Sequence, residues 1–378
     1  MTDRFRSSYL PSEGTLIHRV DLLIFAMLLS LLNIGVCHNV SAADTQGAVD
    51  VPINEANWSI DQRLLYYGIP VQVRFTPANP KLAETAWSYL EGIDAVFNDY
   101  KDDSEIGSIN KAGAGTYTLS PILAEAFALA VKVNRLTDGA FDITVGPLRR
   151  LYRQAAKDGK FPSAEAIAEA KKHIGPQTFS VNGNVLTVLQ NGVAFDFGGL
   201  IKGMAVDHVI GLLTQAGVSA ALVQCGGETA CFGHSPRGRP HRLGIPHPLG
   251  NEDDWCVVGG KASGFCGSTS SNAFQPIVIN GQNYYHVFDV RSGQPAATHV
   301  LSASVAFSSF GHNGMADGLA KLGVIDPESF LRVVQEQGGQ GMVLIQLPNG
   351  SIEERHSKEW PSFILGDVPT TTSPGKQP

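Results

Sequence analysis

Between Asp196 and Asp207 the chain reads DFGGLIKGMAVD, an apolar run and an amphipathic one joined through paired glycines. Val193, Phe195 and Phe197 alternate as in a strand, and Ile201, Ala205, Val209, Leu212 and Leu213 recur at helical spacing after it. Gly198 and Gly199 lack a Cβ, so the backbone there can bend sharply and a ligand can approach it closely. A helix N-terminus offers unpaired N–H groups and a partial positive charge, and Lys202 would add a full one, a combination that suits phosphate. The same residues also suit an ordinary glycine turn beside a solvated lysine. The segment has neither the GxxxxGK[ST] of a P-loop nor the GxGxxG of a Rossmann turn.

The 378 residues allow one elaborate domain or two, and the formal charge of −7 is spread without a basic block. That pattern excludes nucleic acid as the main partner. Arg4, Arg6 and Arg19, the apolar run Leu22 to Val36 and the small residues of Val40-Ser41-Ala42 have the layout of a secretory signal peptide, residues 1–42. The run falls short of the roughly 20 apolar residues of a membrane span and includes Asn33, although an uncleaved segment would attach the chain to a membrane. Ile34-Gly35-Val36-Cys37 is a poor lipoprotein box. Export to the periplasm or cell envelope is therefore expected. Cys225, Cys231, Cys256 and Cys266 remain after cleavage, with no metal-like spacing, as either buried thiols or disulfides.

A polar linker, 43–57, precedes a domain expected over 58–365, and a tail over 366–378 rich in Pro, Thr and Ser is expected to be disordered. Strands are predicted over Tyr66–Phe75, Ala220–Gln224, Ser302–Phe307 and Gly341–Gln346, and helices over Leu82–Phe97, Pro121–Thr137, Ala164–Lys172 and Met315–Leu322. Asn182-Gly183-Asn184 and Asn280-Gly281 predict hairpins. The strand at Ala220 also ends in paired glycines, Gly226-Gly227, before Glu228. Two such ends could wall one cleft.

Four residues stand out for chemistry. His286, on the predicted strand Asn283–Asp289 with Tyr284 and Phe288 on its face, titrates near neutrality and is the natural general base, though a lone strand histidine is also commonly structural. Asp317 lies in the small-residue helix GMADGLAKLG, where a carboxylate close to backbone could hold a hard cation, or could simply pair with Lys321 at i,i+4. Asp289 and Arg291 could orient a ligand or satisfy a turn. No serine elbow, zinc-type histidine pair or CxxC is present, which argues against serine hydrolase, zinc hydrolase and thioredoxin-like chemistry.

Seven segments, YKDDSEIGSIN, LTDGAFDITVGPL, DFGGLIKGMAVD, ALVQCGGE, GRPHRLGIPHP, YYHVFDVRSGQPA and MADGLAKLG, resemble the ApbE family of flavin transferases in family order, from about Gly68 to Gln346. The resemblance implies an α+β fold of mixed sheets with flanking helices around a central FAD cleft. It implies an exported FAD:protein FMN transferase that uses Mg2+ and moves FMN from FAD onto a threonine or serine of an acceptor protein, releasing AMP. By position, Tyr100, Ala140, Phe141, Asp142, Asp196, Lys202 and Ala296 would contact FAD, Gly199 through its carbonyl and Asp317 would hold the metal, and His286 would take the acceptor's proton. Hydrolysis of FAD to FMN and AMP, or FAD binding without catalysis, are the alternatives on the same fold.

The chain departs from the family at four places. Lys321 stands where a threonine usually follows the metal aspartate, and an ammonium cannot ligate a cation. Thr269-Ser270-Ser271-Asn272 replaces TSGD, Asp289-Val290-Arg291-Ser292-Gly293 replaces DP[RK]TG, and Tyr67-Gly68-Ile69 replaces MGT.

Overall fold

The computed structural model describes residues 56–66, 68–250, 254–259, 262–271 and 276–365. The expected signal segment, nearly all of the linker, the tail and Asn272 lie outside these residues. Among the described residues no helix is long and apolar enough to cross a membrane.

An eight-stranded sheet organises the molecule. Its strands are β1 (Ser59–Leu65), β2 (Ile69–Thr76), β3 (Ala220–Cys225), β4 (Glu228–Phe232), β5 (Phe265–Ser271), β6 (Val300–Phe307), β7 (Gln340–Gln346) and β8 (Ile352–His356). They lie side by side in chain order, and every pair is antiparallel. The α+β class is therefore as expected, and the sheets anticipated as mixed are antiparallel wherever they pair. β6, VLSASVAF, is buried along its whole length, as a central strand covered on both faces must be.

Eight helices fill the connections among the described residues: α1 (Pro80–Phe97), α2 (Glu105–Ala112), α3 (Pro121–Leu136), α4 (Gly146–Asp158), α5 (Ala164–Lys171), α6 (Ile201–Gln215), α7 (Asn313–Ile325) and α8 (Pro327–Glu336). Their starts follow side-chain chemistry. Asn79, Ser104, Ser120 and Ser163 each accept a first-turn N–H, and proline follows directly at α1 and α3. Helix α4 was not anticipated, because Gly146-Pro147 and the arginines of GPLRRLYRQAAKD mask its apolar face of Leu148, Tyr152 and Ala155. Both predicted hairpins form, Phe179–Asn182 with Val185–Val188 and Ile277–Ile279 with Gln282–Tyr284.

Two strand predictions need correction. Residues Val193–Phe197 belong to no ladder. Their backbone bonds go elsewhere: Asn110 donates to the Phe195 carbonyl at 2.9 Å and accepts from its N–H at 2.7 Å, and Asp196 N–H donates to Ile143 O at 2.7 Å. The Phe195 and Phe197 rings pack edge-on against Phe127, at 5.0 and 5.1 Å between centroids. Aromatic packing and one amide thus hold what a sheet would otherwise hold. The second correction concerns the strand carrying His286, which stops at Tyr284 and resumes as Phe288–Asp289 paired with Gln294–Pro295. Consecutive Val287 and Phe288 are both buried, which a flat strand with alternating faces cannot provide. Tyr285, not Tyr284, enters the core and donates to Leu301 O at 2.9 Å. His286 sits exposed on the bend.

Candidate functional site

Helices α6 and α7 approach closely because neither presents a side chain at the crossing. A Cβ on Gly203 would collide with the Asn313 carbonyl, and one on Gly314 would lie 2.9 Å from Met204 Cγ. Asp207, the last residue of the glycine motif, reinforces the crossing by accepting the Gly314 N–H at 2.9 Å, a carboxylate at the positive end of α7. One turn further along, the same crossing delivers Asp317 to Lys202.

Four ionisable groups converge there. Lys202 Nζ lies 3.1 Å from Asp317 Oδ2 and 3.6 Å from Glu228 Oε1, and donates to Gly198 O at 3.0 Å. Lys321 Nζ donates to Asp317 Oδ1 at 2.7 Å and to Ser270 Oγ at 2.8 Å. Asp317 and Glu228 are 0% and 1% exposed, whereas Lys202 and Lys321 keep 18% and 13% of their side chains open. The carboxylates form the floor and the ammoniums the mouth. The two glycine-ended segments do meet, since a Cβ on Gly226 would touch Lys202 Cδ at 3.9 Å.

Burial would raise the Asp317 carboxyl, but Lys202 and Lys321 outweigh it and hold it at about 2. Burial, then the charge of Asp317, pushes Glu228 up to about 7 against the pull of both lysines. Glu228 Oε2 is buried with no partner as an acceptor. Protonation resolves this, because the acid can then donate to Asp317. Burial would lower Lys202, yet Asp317 and Glu228 hold its ammonium above the ordinary value.

The other expected contacts fall into four places. Gly199 adjoins the cluster, with Phe141 Cε2 and Lys321 Cε at 2.8 and 3.6 Å from where its Cβ would stand. Ala140 and Phe141 are buried and their N–H groups are spent on Thr137, while Asp142 accepts from Thr144 N and Oγ1 and from Asn134. That turn therefore offers a ligand the Phe141 ring rather than free polar groups. Asp196 binds the Gly198 N–H at 2.8 Å and Arg149 at 2.8 Å, and Arg149 also pairs with Asp99 and lies over the Tyr100 ring. Arg153 lies over Tyr100 as well, at 4.6 Å. Tyr100 is exposed, a platform held by two guanidiniums. Ala296 N–H donates to Val287 O at 2.9 Å, which brings it beside the bend of His286. Tyr285, Val287 and Ala296 share one apolar core with Phe141, Ala316 and Ala320, the last two on the helix of Asp317.

Arg149, Arg153, Ser270 and Asn110 were missed as contributors. The i,i+4 spacing of Arg149 and Arg153 on an apolar-faced segment was the available signal for two of them. Asp289 accepts from Arg291 N and Nε, the turn-forming alternative. The four cysteines beyond residue 200 are buried free thiols.

The expected Mg2+ does not fit these residues. Its carboxylate already takes two ammonium groups, the hydroxyl expected at i+4 is an ammonium, and the described residues contain no cluster of three metal-ligating His, Cys, Asp or Glu side chains. Magnesium requires a near-octahedral oxygen shell.

An α+β protein on an antiparallel meander, with paired ammoniums at the mouth of a glycine-walled recess, belongs to the class built to receive an anionic, phosphate-bearing ligand. Comparison with known proteins narrows that class. The ApbE family pattern matches residues 67–344, and the chain belongs to this family. Among curated relatives, the FAD:protein FMN transferase of Haemophilus influenzae is 27% identical over 296 residues, covering 75% of this chain and 83% of that one. The protein of the same name from Chlamydia pneumoniae is 30% identical, covering 60% and 71%. Among solved structures, the flavinyl transferase ApbE of Pseudomonas stutzeri in its apo form superposes with a TM-score of 0.70 at 26% identity, covering 82% of this chain and 98% of that one. The ApbE protein of Thermotoga maritima gives 0.71 at 25% identity, covering 82% and 100%.

Proposed function

We propose that this protein is an exported FAD:protein FMN transferase that moves FMN from FAD to a threonine or serine hydroxyl of an acceptor protein. The observation that carries this reading is the meeting of the two glycine turns at Lys202, because it makes one anion site of motifs on separate elements of the chain. Relatives carrying that name, aligned over most of their length, support the same substrate.

In this reading the diphosphate of FAD rests against Gly198 and Gly199 with Lys202 and Lys321 at its oxygens. Tyr100, steadied by Arg149 and Arg153, offers an aromatic face for a ring of the dinucleotide. The acceptor hydroxyl attacks the phosphorus on the flavin side. A new O–P bond forms, the bridging P–O bond breaks, and AMP departs with the electron pair. His286 accepts the hydroxyl proton, and its exposure on the bend suits a base that must meet a macromolecular substrate. Phosphoryl-type transfer of this kind depends on positioning and charge neutralisation more than on covalent help from the enzyme. Export rests on the N-terminal sequence alone.

The test is to incubate the purified chain with FAD and a candidate acceptor domain and to follow covalent flavin on the acceptor together with AMP. Flavin on a threonine or serine is expected. AMP without labelled acceptor would mean hydrolysis, and intact FAD held tightly would mean binding alone. His286→Ala should lower transfer by about 10²-fold or more while leaving FAD affinity unchanged; equal rates would remove His286 from the reaction.

A further inference from the structure

We propose that Lys321 is the built-in cation of this site, so that the diphosphate is neutralised by two lysines and the protein binds FAD without a divalent metal. The inference rests on the transferase reading and concerns how the same site handles charge.

Geometry places the ammonium where a metal on Asp317 would have to be. Lys321 leaves the same helix face as Asp317 one turn later, so its tether holds it near the carboxylate whatever else binds. Its Nζ lies 2.7 Å from Asp317 Oδ1 and 2.8 Å from Ser270 Oγ, and the side chain is only 13% exposed. Oδ2 of the same carboxylate faces Lys202 at 3.1 Å. A divalent ion would have to displace Lys321 from both partners, or share the recess with two ammoniums, and like charges at such distances repel strongly where water is scarce. The charge count agrees. Lys202 and Lys321 against Asp317 leave the site one positive charge when Glu228 is protonated and none when it is ionised, so with Glu228 in its acid form the ammoniums offset part of the diphosphate's charge without a further cation. The ammonium keeps donor capacity beyond Asp317 and Ser270, since it carries three N–H groups. Gly199 adjoins this arrangement, since a Cβ there would stand in ordinary contact with Lys321 Cε at 3.6 Å but would crowd Phe141 Cε2 at 2.8 Å.

The experiment uses the full chain and its Lys321→Thr variant, which restores the residue type usual in the family. FAD binding is followed by flavin fluorescence in excess chelator and in excess Mg2+, and Mg2+ alone is titrated by calorimetry. Wild type should bind FAD equally in both media and give no heat with Mg2+. The variant should bind FAD about tenfold more weakly in chelator, the loss expected from one charge-assisted contact, and regain affinity with Mg2+. Wild-type binding that is abolished by chelator and restored by Mg2+, or a saturable Mg2+ heat in wild type, would overturn the proposal and leave the transferase reading standing. Failure of wild type to bind FAD in either medium would overturn the transferase reading and this proposal with it. Should Lys321→Thr not fold, the wild-type arms decide the question, and Lys321→Gln supplies the charge deletion at similar length.

Discussion

Replacing Glu228 by glutamine should make the protein more stable above neutral pH, although it deletes a partner of Lys202. Glu228 is 1% exposed, its Oε2 has no partner as an acceptor, and its folded-state value is raised from 4.5 to about 7, by burial first and by Asp317 second. The sign follows from proton counting. Below pH 4.5 both folded and unfolded chains hold the proton and the group contributes no penalty. As pH rises from 4.5 towards 7 the unfolded chain releases its proton while the fold retains it, so wild-type stability falls over this window. A rise of 2.5 pKa units corresponds to about 3 kcal/mol at full development, reached near pH 8, and to less than about 1 kcal/mol at pH 5. Glutamine keeps the shape and the donor to Asp317 but has no proton to release. Urea unfolding of both proteins at pH 5, 6.5 and 8 should therefore show a stability gain for Glu228→Gln that grows with pH. A gain that does not change with pH, or a loss that deepens towards pH 8, would refute the idea that this acid is buried against its own ionisation.

Two further outcomes are expected. Asp317→Ala leaves Lys202 and Lys321 facing each other across a recess with their fully buried partner gone, and should cost about 3–5 kcal/mol in urea unfolding, with no recovery on adding Mg2+. Asn110→Ala strips the N–H and carbonyl of Phe195 of their partners and should cost about 2–4 kcal/mol while loosening the glycine turn, read as weaker FAD binding in the variant that remains folded.

Much of the fold could be read from local pattern, because most helices begin at a side-chain cap and the hairpins turn on Asn-Gly or Gly-Asn pairs that need left-handed backbone, as at Gly183 and Asn280. Helix α4 was hidden because three of its first eight residues are arginines, and the partners of Arg149 and Arg153, namely Asp99, Asp196 and Tyr100, lie outside the helix. The segment before Gly198 has the alternation of a strand, and nothing local reveals that Asn110 supplies the hydrogen bonds of Phe195. At the site, the glycine turns, Lys202 and Asp317 were legible as separate motifs. Their convergence was not, since it depends on the absence of side chains at Gly203 and Gly314, where two helices cross. The pairing of Asp317 with Lys321 was open as an i,i+4 surface contact; burial turns it into the core of the recess.

The meander in which each strand lies beside its predecessor has a temporal corollary. Strand β3 must wait for the whole excursion from Thr76 to Ala220 before it can join β2, and that excursion ends with the helix bearing Lys202. Asp317 is 115 residues further on. A chain emerging in order thus completes its lysine-bearing half long before the aspartate exists to receive it, and it gains ligand competence only in the last quarter of its synthesis. A fragment ending between α6 and α7 would carry the glycine motif intact and still lack both Asp317 and Lys321.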